Sequence, residues 1–144
     1  MELAKNKKAF FDYEILETME AGIILEGYEV KAVRAKQLNL KGGYVSIRSN
    51  EAWLENVLIT PYQPKNQHEE NGKRKRKLLL NRREIDKLEH QAKTPGVTLV
   101  PLKVFLKNHR IKLEIGVCRG KKQHDKRETI KRRETDREVR RHIK

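Results

Sequence analysis

Val97-Thr98-Leu99-Val100-Pro101-Leu102-Lys103-Val104-Phe105-Leu106, then Asn108-His109, then Arg110-Ile111-Lys112-Leu113-Glu114-Ile115-Gly116-Val117-Cys118, is the stretch that decides the fold. Its last arm alternates cleanly. Ile111, Leu113, Ile115 and Val117 point to a core while Arg110, Lys112 and Glu114 point to water, the period of a half-buried strand. Asn108-His109 fits a two-residue hairpin loop, whose positive φ angles Asn tolerates and His accepts better than most residues. Pro101 in the first arm removes a ladder donor and predicts an edge or a bulge.

Upstream, more strands and two helices are expected. Tyr13–Thr18 reads as a first strand, and Glu20-Ala21-Gly22 as a turn or a close backbone approach. An acid there could orient lysines or accept from a base or ribose hydroxyl; it could also be an ordinary surface carboxylate. Gly27–Gln37 is a short helix with Val30, Ala32 and Val33 inward and a basic strip of Lys31, Arg34 and Lys36 outward, suited to phosphate contact or simply to solubility. Lys41-Gly42-Gly43 turns into a strand at Tyr44–Arg48, and Ala52–Leu54 and Val57–Ile59 continue the sheet. Asn81 and Glu84 stand at the two positions of a capping box, opening a helix with Ile85, Leu88 and Ala92 as its buried stripe; Thr94-Pro95-Gly96 stops it. Short strands at this density make the chain mainly β, a sandwich or small antiparallel barrel with flanking helices.

Charge then narrows the function. The chain has 144 residues, enough for one domain, and a net charge of +14. Arg119–Lys144 holds 12 basic and 5 acidic residues, a net +7, with Ile130, Val139 and Ile143 as its only large apolar side chains. Such a tail cannot bury enough to order itself, and is expected to fold on a polyanion. The expected division is a body, 1–120, and a basic tail, 121–144. Two further cationic clusters stand out. Asn6-Lys7-Lys8 reads as an exposed basic edge, with Ala9-Phe10-Phe11 anchoring it. Lys73-Arg74-Lys75-Arg76-Lys77 is a run expected to stay extended until countercharge arrives, followed by Leu78-Leu79-Leu80, of which one or two bury and one exposed leucine could stack on a base.

No catalytic set is present. There is no phosphate-cradling glycine loop, no GxSxG, HExxH or CxxC, and the five histidines lack metal-ligand spacing, so neither an enzyme nor a cofactor or metal protein is expected. Cys118 reads as a structural strand cysteine. No apolar run approaches the ~20 residues of a membrane span, and no apolar signal core opens the chain; a cytoplasmic, monomeric protein is expected. With few aromatics, shape, ribose and phosphate contacts on structured RNA fit better than a stacking sheet.

Six blocks, in order, resemble the SsrA-binding (small protein B) family, which binds transfer-messenger RNA: Asn6-Lys7-Lys8-Ala9, Glu20-Ala21-Gly22-Ile23, Glu29-Val30-Lys31, Lys77-Leu78-Leu79-Leu80-Asn81, Thr98-Leu99-Val100-Pro101-Leu102, and Arg119-Gly120-Lys121-Lys122 with Asp125-Lys126-Arg127. The resemblance implies an oligonucleotide-binding-type (OB-like) β-barrel with two to three flanking helices. It would clasp the tRNA-like domain of transfer-messenger RNA, charged by alanyl-tRNA synthetase and delivered with elongation factor Tu to a stalled ribosome. There the tail would become helical in the empty messenger path near the decoding centre. Asn6, Glu20 and Leu79 match family positions implicated in RNA contact, beside which Lys7, Lys8, Lys31, Arg34, Arg76 and Lys77 are cationic candidates. Gly120, Lys121, Lys122, Asp125, Lys126 and Arg127 match the tail segment needed on the ribosome. Thr135 stands where some members carry an aromatic. A general ribosomal RNA-binding or RNA-chaperone protein is the alternative.

Overall fold

The computed structural model describes residues 1–60 and 72–121. The elements are β1 (Glu2–Lys5), α1 (Lys7–Asp12), β2 (Tyr13–Ile23), α2 (Gly27–Arg34), β3 (Leu38–Asn39), β4 (Tyr44–Arg48), β5 (Glu51–Glu55), β6 (Leu58–Ile59), β7 (Arg76–Leu79), α3 (Arg82–Ala92), β8 (Val97–Lys107) and β9 (Arg110–Gly120). Seven strands form one sheet in the order β1-β8-β9-β2-β7-β5-β4, every pairing antiparallel.

The hairpin of β8 and β9 is the spine. Asn108 and His109 both take positive φ, 50° and 65°, as the two-residue loop requires. Pro101 sits at a register shift before Lys103, so the bulge, not an edge, accommodates it: β8 lies inside the sheet between β1 and β9. Leu113, Ile115 and Val117 enter the main core with Leu54, Leu78, Leu88, Leu99 and Val104. Toward its end β9 is buried on both faces, because α1 brings Ala9 and Phe10 over Val100, Leu102 and Cys118. Gly116 permits this: a Cβ there would come within 2.7 Å of Leu102 Cδ1.

Several expectations need correction. The sheet is mostly β with flanking helices as expected, but it does not close into a barrel. β4 packs against β8 with no ladder between them, since both edges of β8 are already taken by β1 and β9. Of the two readings of Glu20-Ala21-Gly22 the turn fails, since β2 runs straight through it to Ile23, while the close approach holds at Gly22, beside Leu79 of β7. Leu58-Ile59 leaves the main sheet and pairs with β3 in a separate two-stranded one, after Asn56 turns the chain at φ 58°. The α2 helix ends at Arg34, where Lys36 adopts φ 62°. In α3 the capping box forms as expected, Asn81 Oδ1 accepting from Glu84 N at 2.8 Å and Glu84 Oε1 from Asn81 N at 3.0 Å. Ile85 and Leu88 are buried but Ala92 is exposed; the last turn is held instead by Gln91, which donates to Glu17 at 2.5 Å.

Candidate nucleic-acid interface

The five cations from Lys73 to Lys77 do not form a self-repelling run, because the fold supplies countercharge to most of them. Arg74 donates to Glu29 Oε1, and Lys75 lies 4.7 Å from the centre of the Trp53 ring. Lys77 pairs with Glu51 at 3.3 Å. Arg76 is completely buried. Its Nε donates to Glu29 Oε2 at 2.8 Å, and its other nitrogens donate to Val57 O at 2.7 Å and Gly72 O at 3.0 Å. Glu29, also fully buried, accepts from Glu26 N at 2.9 Å as well. Burial alone would push the Glu29 carboxyl up; the Glu26 amide and the two guanidinium groups outweigh it and hold the carboxyl below its ordinary range. The sequence places Arg76 among RNA-facing cations. In the fold it is instead a brace tying β7 to α2.

That brace sets two candidate RNA-contact elements side by side. Leu79, on β7, is 53% exposed, unlike Leu78, which is buried. Arg34, at the end of α2, reaches the β8–β9 hairpin and donates to His109 O at 3.5 Å. Between them lies a hollow of about 280 Å³ with an apolar floor of Gly22, Ile23, Leu25, Val30 and Ile111 and a rim of Arg34, His109, Arg110 and Lys112. None of the described residues lining it is acidic. Register explains the opening. Gly22 pairs with Leu79 on one side and with Lys112 on the other, so the row Lys112–Gly22–Leu79 has no side chain at its centre. A Cβ at Gly22 would stand 3.1 Å from Leu79 Cβ. Glu20, two residues back on the same strand, is exposed, stands opposite Glu114, and pairs with Lys107 at 3.4 Å. Like charges facing across strands are unfavourable, and Lys107 offsets this one.

The fold thus brings Glu20, Arg34 and Leu79 to one end of the sheet, with Lys31 exposed one turn before Arg34. It does not bring Asn6, Lys7 and Lys8 there. Asn6 is buried rather than on an exposed basic edge. Its Oδ1 caps α1 by accepting from Ala9 N at 3.1 Å, and its Nδ2 donates to Pro101 O at 2.9 Å and Leu40 O at 3.3 Å. Lys7 and Lys8 are exposed on α1, where Lys8 lines a second hollow with Lys41 and Tyr44. Arg110, Lys112 and His109 are the rim residues that sequence reading does not assemble: their outward direction is legible, their company with Leu79 is not.

At the other end of β9, Gly120 pairs with Tyr13. Lys121 donates from its backbone N to Asp12 O at 2.9 Å and from Nζ to Phe10 O at 3.2 Å. The root of the basic tail is therefore fixed to α1. Lys122, Asp125, Lys126 and Arg127 lie outside the described residues. Among those described, no cluster of three or more His, Cys, Asp or Glu could hold a metal ion, and no helix is long and apolar enough to cross a membrane.

The SsrA-binding protein of Streptococcus mutans serotype c is 54% identical over 142 residues, covering 99% of this chain and 92% of its own. That of Streptococcus sanguinis is 51% identical over the same lengths. A solved structure described as "tmRNA-SmpB: a journey to the center of the bacterial ribosome" aligns with a TM-score of 0.70 at 39% identity, covering 88% of this chain and 93% of that one. The family model described as SmpB protein matches residues 3–144, and the chain belongs to that family.

Proposed function

We propose that this chain is an RNA-binding adaptor with no active site of its own. It binds the tRNA-like domain of transfer-messenger RNA and delivers that RNA to stalled ribosomes, so that the unfinished peptide is tagged for proteolysis. The observation that carries this reading is the span of the family match, which takes in the body and the basic tail together, from residue 3 to residue 144. The body, 1–120, grips RNA. Glu20, Lys31, Arg34, Lys77 and Leu79 contact it around the hairpin end, with Lys7 and Lys8 on α1 as a second contact, while Asn6 and Arg76 hold these elements in place. The tail, from 121 onward, takes a helical shape in the empty messenger path near the decoding centre. The protein acts as a monomer in the cytoplasm, and elongation factor Tu and alanyl-tRNA synthetase act on the same RNA.

The test is separability. Replacing Asp125, Lys126 and Arg127 together by alanine should leave affinity for the tRNA-like domain within about two-fold, since the three changes remove a net charge of only one, yet abolish tagging in a reconstituted stalled-ribosome assay. Equal loss of both would overturn the division between body and tail.

A further inference from the structure

Lys5 and Lys103 face each other directly across the β1–β8 ladder. Like charges so placed repel. Across β9, Lys103 faces Glu114, yet no ion pair joins them, and among the described residues neither lysine is paired with a carboxylate. What the two lysines share is the half-buried ring of Phe10 on α1. The Lys5 ammonium stands 4.8 Å from its centre and that of Lys103 5.8 Å. A ring attracts a cation through its quadrupole but carries no net charge, so it holds the two ammonium groups without neutralising them. Covering the ring takes one lysine; the second adds repulsion. Lys103 is also where the β8 ladder resumes after the bulge at Pro101, and bulges re-aim side chains. A third ammonium joins from the root of the tail, Lys121 Nζ donating to Phe10 O at 3.2 Å.

We propose that Lys5 and Lys103, held by Phe10, form a phosphate site, and that the backbone of ribosomal RNA lies across it where that RNA meets the tail. This rests on the adaptor reading above and deepens it: the body has a ribosome contact of its own, separate from its grip on the tRNA-like domain. The chemistry is that of a phosphodiester. Two ammonium groups from neighbouring strands are brought to one spot, desolvated in part against an aromatic face and left without a carboxylate, so a backbone phosphate supplies the missing charge. Two observations choose the source. The tail leaves α1 beside the pair, its Lys121 amide bonded to Asp12 O at 2.9 Å, so a polyanion that the tail follows meets the pair first. Toward β2 the same row of the sheet runs Lys103, Glu114, Glu20, so acids rather than cations extend it in the direction of the hairpin-end hollow. An RNA held at that hollow would have to cross those carboxylates to reach Lys5.

The experiment measures binding of the full chain to two partners in turn, purified small ribosomal subunits and the isolated tRNA-like domain of transfer-messenger RNA, over a few-fold range of salt. The variant is Lys5→Gln with Lys103→Gln, which removes both charges but keeps stems that cover the Phe10 ring. On the small subunit it should bind several-fold more weakly, and the slope of log affinity against log salt should fall by about 1.5, the scale of two lost phosphate contacts. On the tRNA-like domain, affinity and slope should match the wild type. The free variant should unfold at or above the wild-type temperature, because the change relieves a repulsion. An unchanged slope on the small subunit, an equal loss on the tRNA-like domain, or a lower unfolding temperature would overturn the site and leave the adaptor reading intact. Failure of the wild-type protein to prefer the tRNA-like domain over an unstructured RNA would overturn both.

Discussion

Arg76 and Glu29 meet with both side chains wholly out of solvent, Nε to Oε2 at 2.8 Å, across 47 positions of sequence. A charge pair so placed does not have to stabilise the fold relative to an apolar pair, since desolvating both ions is costly. What it does is make each residue intolerable without the other. Glu29→Ala should cost about 3–5 kcal/mol by leaving a buried guanidinium uncompensated. Adding Arg76→Met should recover a large part of it. Urea unfolding of the two variants measures this; a loss below ~1 kcal/mol for Glu29→Ala would mean that water reaches Arg76.

The same pair sets an acid limit. Glu29 has a folded pKa below the ordinary 4.5. Its contribution is therefore complete above pH 4.5 and is lost as pH falls through the lower folded value, because the unfolded chain takes up the proton first. Glu17, held down chiefly by hydrogen bonds from Lys87 and Gln91, acts in the same direction. Stability should fall below about pH 4.5, with a slope of up to ~1.4 kcal/mol per pH unit from the Glu29 proton. In Glu29→Gln that acid slope should be shallower, while stability above pH 6 is lower and flat. Thermal unfolding from pH 3 to pH 7 distinguishes the two profiles.

Arg110 and Lys112 are the rim cations that only the fold reveals, and their effect should be electrostatic. Arg110→Ala or Lys112→Ala should weaken binding of the tRNA-like domain and lower the slope of log affinity against log salt by about 1 for each phosphate contact removed. Fluorescence anisotropy between 50 and 300 mM salt reads this directly, with about 1 as the expected change in slope. An unchanged slope would place the phosphates elsewhere. Lys93→Ala, at the exposed end beyond α3, should change neither.

Cys118 is buried between α1 and the sheet, and burial pushes its thiol up to about 11. At pH 8 only about a thousandth would be thiolate, and reactivity follows that fraction. A disulfide reagent should modify the native protein at least 100-fold more slowly than the urea-unfolded chain, a rough scale set by that fraction and by access. Neighbouring Arg119, whose guanidinium bonds Glu14 at 2.6 Å, is turned to the surface and does not activate the thiol.

Local signals were the readable ones. The Asn81–Glu84 box, the Asn108-His109 loop and the alternation of β9 each depend on residues within a few positions of one another, and the structure reproduces them. The errors are all non-local. Glu20-Ala21-Gly22 reads equally as a turn or a close approach, and only the neighbouring strand decides for the second, with Leu79 lying beside Gly22. Arg76 looks like one cation of five until Glu29 is brought to it. Asn6 looks like part of a basic edge until Pro101 and Leu40 supply acceptors for its amide. Of the interface, Leu79 was legible as an apolar residue beside a charge cluster. Its grouping with Arg110 and Lys112 was not, because that depends on the order β9-β2-β7 and its register.

The placement of β9 has a mechanical side. The strand that ends at Gly120 is flanked by β8 and β2, with both ladders running nearly its full length. A pull on the chain at Lys121 would load those ladders in shear, so that many hydrogen bonds must yield at once rather than one after another. An edge strand such as β4 would peel. The cationic extension is thus rooted in the part of the sheet best able to withstand tension.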